Sequence, residues 1–158
     1  MMACVPLFFG GLGSIFCGLV SGPMSRGTLG LAKTRRVMGC LGLAGAGALL
    51  LGSTFLHNPF LAVLAIGLAS FCNDLAMPGA WGACMDVGGR FAGSLSGSMN
   101  MMGNAGGALA SMAVPFVLRL ANDNWNANFI MFAVIYFVGA LCWLFIDPVT
   151  PLEQKAND

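Results

Sequence analysis

The sequence predicts an all-α integral membrane fold of five transmembrane helices, and three observations carry that prediction. The 158 residues are 58% hydrophobic and only 8% charged. The few charges fall between long apolar runs, each close to the ~20 residues that cross a bilayer's hydrocarbon core as a helix. Those runs lack the short polar–apolar alternation of membrane β-strands. The approximate spans are 3–21, 37–56, 60–84, 94–118 and 127–146, with a tail over 147–158. A soluble helical bundle would need polar outer faces, and spans 37–56 and 127–146 have none.

Seven basic and six acidic residues nearly cancel, so nothing points to a nucleic-acid partner. Their placement is more informative. Arg26, Lys33, Arg35 and Arg36 fall in the first connection, Arg90 in the third and Lys155 in the tail, whereas Arg119 alone lies on the other side. The positive-inside bias then predicts an external N-terminus and a cytoplasmic C-terminus in the cell (inner) membrane. His57-Asn58-Pro59 becomes an outer turn and 122–126 an outer loop. The first span has no basic flank before it, so it reads as a retained helix rather than a cleaved leader. An odd helix count starting almost inside the membrane suggests the tail of a longer protein.

In the first span, Gly10, Ser14, Cys17, Gly18 and Ser21 share one face at ~100° per residue. Such small-residue seams let helix backbones approach in lipid. The connection "SGPMSRGTLGLAKTRR" (21–36) combines turn formers with basic residues that anchor topology. The second span is built from Gly, Ala and Leu and carries no evident chemistry.

The third span places Asp74 near its middle, where an ionised group costs at least ~2.5 kcal/mol unless it faces protein or water. Pro78, four residues on, leaves the Asp74 carbonyl without an intrahelical donor. Asp74, Pro78 and Trp81 form an i, i+4, i+7 row on one face, with Asn73 beside it. Two readings stand side by side: a structural contact for Asp74 and an interfacial anchor for Trp81, or a polar lining.

The fourth span opens with "SLSGSMNMMGNAGG" (94–107). On a helical wheel Gly93, Ser96, Gly97, Asn100, Gly103, Asn104 and Gly107 gather within ~120°, with Met99, Met101 and Met102 elsewhere. A loop has no reason to sort its residues so. This is a helix with one small, polar face, whose amides must meet another helix or a wet cavity.

The six cysteines have no CxxC pairs and no histidine nearby, so no metal or cofactor is expected. Nucleotide-binding and hydrolase motifs are absent too, and an enzyme is not expected.

The passage "LASFCNDLAMPGAWGACMDVGGRFAGSLSGSMNMMGNAGGALA" (68–110) resembles the tenth and eleventh helices of major facilitator superfamily transporters, and more narrowly their anion:cation symporter branch. The matching elements are Pro78-Gly79-Ala80-Trp81, Asp86, Gly89-Arg90, Gly93, Ser96-Gly97, Asn100, Gly103-Asn104 and Gly106-Gly107. The resemblance implies that the chain is helices eight to twelve, the C-terminal part of a twelve-helix carrier whose N-terminal helices are missing partners. It implies alternating access around a midplane site, proton or sodium coupling, and a small organic anion as substrate. Trp81, Asn100, Asn104 and Asp74 would then line the cavity, and Gly93, Gly97, Gly103 and Gly107 would permit sliding contact.

The family also carries a cytoplasmic latch, G-x-x-x-D followed by basic residues. Gly18, Lys33, Arg35 and Arg36 match it, but Gly22 replaces the acid. Five helices alone form no two-sided cavity, so transport by this chain by itself is not expected. The rival reading is a structural or assembly subunit of a membrane complex, using the same small-residue seams.

Overall fold

The computed structural model describes residues 4–27 and 30–152. Five α-helices follow one another: α1 (Cys4–Arg26), α2 (Gly30–Ser53), α3 (Pro59–Gly88), α4 (Ala92–Leu120) and α5 (Asn126–Phe145), with a 3₁₀ turn at Gly89–Phe91 between α3 and α4. By length and composition, Cys4–Arg26, Gly30–Ser53, Pro59–Leu120 and Asn126–Phe145 suffice to cross a membrane. The third of these runs holds both α3 and α4.

Local chemistry explains the helix ends. Asn58 caps α3, its side-chain oxygen accepting from the Phe60 N–H at 3.0 Å, and Pro59 occupies the first turn, where its missing N–H costs nothing. Gly89 ends α3 with φ +48°, a backbone that side chains resist. Beyond α4, Asn122 and Asp123 adopt positive φ, which their residue types tolerate.

The first connection is shorter than hydropathy suggests. Residues 21–36 read as a turn-rich loop, yet α1 continues through Pro23 to Arg26 and α2 begins at Gly30. The apolar run marks the hydrocarbon thickness, and the helix itself continues past it. Thr28 and Leu29 of that connection lie outside the described residues, as do 153–158, Lys155 included.

Missing side chains hold the bundle together. A Cβ on Gly13 of α1 would fall on the Phe71 carbonyl oxygen of α3, and one on Gly42 of α2 would lie 2.6 Å from the Cys72 carbonyl. Between α2 and α5, Gly39 fits against the Trp143 ring and Gly47 against the Ala133 carbonyl, while the Cys40 thiol donates to the Ala140 carbonyl at 3.3 Å. Ala46 and Ala133 are wholly buried, and Leu50, Ala69, Phe132, Tyr136 and Phe137 pack around them.

The seam on α1 differs from the expected one. Gly10, Gly13 and Cys17 are its buried residues, whereas nothing approaches Gly18. The wheel explains this: the buried three span ~60°, and Gly18 lies a further ~80° from Gly10.

α4 stands apart. It has no buried residue, and Met101, Met102, Leu109 and Met112 are among its exposed side chains. It meets α3 mainly near the turn, where Gly88 faces Leu95 and the Cys84 thiol lies 3.3 Å from the Met99 sulfur.

Gly39→Ala must displace the Trp143 ring, whereas Gly52→Ala enters open space. Both gain the same helix propensity, so their difference isolates packing. Thermal unfolding in detergent micelles, followed by helicity, is expected to show Gly39→Ala less stable than Gly52→Ala by about 1–3 kcal/mol.

Candidate functional site

Two polar regions interrupt the apolar bundle. The first lies at the end where α1 finishes and α2 begins. Arg35, in the second turn of α2, forms an ion pair with Asp86 near the end of α3 at 2.6 Å. The same terminal nitrogen donates to the Pro148 carbonyl at 2.9 Å, and Arg36 Nε donates to the Ile146 carbonyl at 2.8 Å. Gly82 leaves room for the guanidinium along α3. Two adjacent arginines therefore tie α2 to α3 and to the segment after α5. Beside them a cleft of about 140 Å³ is lined by Ser21, Ser25, Thr34, Arg35 and Pro78.

Position 22 supplies no acid to the expected latch, and the structure pairs Arg35 with Asp86 of α3. The available signal was a basic residue near the start of α2 and an acidic one near the end of α3, which a hairpin brings to the same end. Linear motif spacing does not encode that meeting. The side chain of Arg35 is 13% exposed and that of Asp86 43%, so the pair is partly screened.

The second region is the middle of α3 and α4. Cys84 opposite Met99 and Gly88 opposite Leu95 fix an antiparallel register. It puts Trp81 level with Met102, between Asn100 and Asn104, and Asp74 deeper along the bundle. Trp81 is 41% exposed. Asn104 Nδ2 donates to the Asn100 carbonyl at 2.8 Å, a bond within its own helix. The Asn100 amide has no partner among the described residues. Gly93, Gly97, Gly103 and Gly107 have nothing within 4 Å where a Cβ would point, so in the described residues they serve no helix contact. The Ser96 hydroxyl oxygen is buried yet has no hydrogen-bond partner among the described residues.

Asp74 points elsewhere. Its carboxylate lies against Gly10 of α1 and accepts from Asn73 Nδ2 at 2.7 Å. Pro78 lines the cleft by Arg35 rather than the face carrying the asparagines. The four sequence-predicted polar residues thus occupy two places: Trp81, Asn100 and Asn104 at one level, and Asp74 in the α1–α3 seam. The wheel missed Asn128 of α5, which is 3% exposed with both amide atoms unpartnered among the described residues. With Asn126 beside it in the first turn of α5, Asn128 read as the continuation of the polar loop and gave no signal.

Comparison with known proteins bears on what this arrangement serves. No family model matches the chain. Over its whole length it is 25% identical to a protein of Cupriavidus necator described as "Probable sulfoacetate transporter". It is likewise 24% identical to one of Escherichia coli described as "Probable L-galactonate transporter". Over 76% of its length it is 27% identical to the "Ascorbate transporter, chloroplastic" of Arabidopsis thaliana. The chain spans 37% and 34% of the two bacterial relatives. These relatives are transporters of organic acids and anions, which bears out the resemblance drawn from residues 68–110. With its long apolar helices, the chain is an integral membrane protein, and these relatives are described as transporters rather than enzymes.

The arginine clamp has a measurable strength. A double-mutant cycle of Arg35→Ala and Asp86→Ala, read by unfolding in micelles, is expected to give a coupling of about 1 kcal/mol at most, the upper end for a partly exposed pair. Arg35→Lys should recover only part of it, because an ammonium lacks the fork that serves Asp86 and Pro148 together.

Proposed function

We propose that the chain forms the C-terminal five helices of a twelve-helix major facilitator carrier of the anion:cation symporter branch, moving a small organic anion such as a sugar acid or carboxylate. Transport proceeds by alternating access with proton or sodium coupling, and the five helices are inactive alone. The observation that carries this reading is whole-length similarity to two organic-anion transporters, each roughly three times longer than the chain. The bare polar face of α4 supports it, because amides and glycines at membrane depth need a partner or water.

Each group has a role in this account. Trp81 fences or stacks on the substrate. Asn100, whose amide is unengaged, hydrogen-bonds its carboxylate or hydroxyls, and Asn104 adds the capacity left after its own helix bond. Gly93, Gly97, Gly103 and Gly107 give the missing helices a close sliding surface. The clamp of Arg35, Arg36 and Asp86 secures the cytoplasmic ends in one state and loosens in the other. The N-terminus lies outside and the C-terminus in the cytoplasm, the basic residues having set the orientation.

Uptake of radiolabelled organic acids by the complete carrier tests the assignment. Asn100→Ala is expected to lower kcat/KM about 10-fold or more, the cost of a buried hydrogen bond to a charged group, and Asn104→Ala less. Trp81→Phe should raise KM. Wild-type transport by all three variants at equal expression would remove Trp81 and the asparagines from the pathway.

A further inference from the structure

We propose that the cleft between the end of α1 and the start of α2 is a phosphate-binding site, taking the phosphate of an anionic lipid headgroup or free inorganic phosphate. Three helices build it. α1 contributes Ser21, Gly22 and Ser25, α2 contributes Thr34 and Arg35, and α3 adds Pro78. Its volume of about 140 Å³ sets the size of the ligand. At ~30 Å³ for each water-sized group, it holds roughly five heavy atoms, enough for a phosphate and too few for a nucleotide.

The donors in its wall favour an anion. A guanidinium has five N–H groups. Arg35 Nη1 directs its two to Asp86 and to the Pro148 carbonyl. The three on Nε and Nη2 meet no acceptor among the described residues, and at 13% exposure the side chain has little bulk water to meet them. The hydroxyls differ. Ser25 donates to the Gly22 carbonyl at 2.9 Å and Thr34 to the Gly30 carbonyl at 2.8 Å, both well-formed bonds. Ser21 reaches the Gly18 carbonyl only at 3.5 Å, so its hydrogen is free to turn to a better acceptor. The start of α2 adds backbone N–H groups that have no intrahelical partner, at the positive end of the helix dipole. Donors offered by two helices and from side chain and backbone alike suit the separated oxygens of a tetrahedral anion.

The charge balance points the same way. α1 and α2 carry Arg26, Lys33, Arg35 and Arg36 and no acidic residue. Asp86, paired with Arg35, offsets one of these four. Arg26 follows Gly22 by one turn, on the side of α1 that lines the cleft. The carbonyls at the end of α1, which would repel an anion, are partly covered: Gly27 N–H bonds to the Pro23 carbonyl at 3.1 Å and Ser25 holds that of Gly22. A basic cleft at the end of an apolar bundle stands at the level of lipid phosphates. Bound there, a phosphate joins α1 to the Arg35–Asp86 clamp and stiffens the end where the three helices meet. The site is separate from Trp81, Asn100 and Asn104, and it does not rest on the transporter reading.

Two measurements on the 158-residue chain test it and separate the two sources. Native mass spectrometry from micelles doped with phosphatidylglycerol or phosphatidylcholine reads the lipid. Thermal unfolding in inorganic phosphate, against chloride at equal ionic strength, reads the free ion. A retained phosphatidylglycerol adduct in excess of phosphatidylcholine assigns the lipid headgroup, and a raised midpoint in phosphate assigns the free ion. Gly22→Leu places a side chain where a Cβ meets nothing within 4 Å, filling the cleft without changing a charge, and is expected to abolish either signal. Ser21→Ala should weaken binding about 10-fold, the cost of one hydrogen bond to a charged group. It also keeps the test open if Gly22→Leu fails to fold. No preference for phosphatidylglycerol together with no response to phosphate overturns the proposal. So does a signal that persists unchanged in Gly22→Leu and Ser21→Ala, since it then comes from general attraction to the basic surface.

Discussion

Close approach of helix backbones at glycine is the constraint on which the rest of the structure depends. In lipid, apolar side chains gain nothing by meeting one another, so association relies on contact area and on carbonyls brought near neighbouring helices. Gly13 and Gly42 set α1 and α2 directly onto the α3 carbonyls of Phe71 and Cys72, and Gly39 and Gly47 bring α5 onto α2. These contacts build a four-helix block in which Ala46 and Ala133 lose all exposure. Only with this spacing does Arg35 reach Asp86 across the hairpin, and only then does Asp74 touch Gly10.

α4 is built from the same residue types and uses them differently. Its glycines meet nothing in the described residues, and the side chains of Ser98, Asn104 and Ser111 turn back on their own helix, bonding to the carbonyls of Ser94, Asn100 and Ala108. A helix with no buried residue has little intrachain reason to present a sorted polar face. The described bundle leaves its small side chains uncovered. Between α4 and α5 an apolar cleft of about 370 Å³, lined by Leu109, Ala113, Phe132 and Ile135 among others, marks how loosely the two are joined.

The sequence made some of this legible and withheld the rest for physical reasons. Five helices and their order could be read from apolar length, and the shared face of Asn100 and Asn104 from the wheel. Helix ends were less legible, because hydropathy reports the hydrocarbon slab and a helix runs on into the interface, as α1 does through Pro23 to Arg26. Small-residue spacing identified a seam on α1 but not its centre, which depends on where α3 lies. The Arg35–Asp86 pair was hidden because it depends on the register of a hairpin with fifty residues between its partners. Asp74 was marked as unusual, but which helix it touches is a packing fact that its row with Pro78 and Trp81 does not contain.

What unites these elements is a division of labour between a tightly packed block and one open, polar-faced helix. Substituted-cysteine labelling along α4 tests it most directly, in membranes and in a background lacking the six native cysteines. Cysteines at 97, 100 and 104 should react with a water-soluble maleimide, while those at 101, 102 and 112 should resist it and yield to a lipid-soluble reagent. Equal reactivity around the helix, or protection of the polar face alone, would contradict the account.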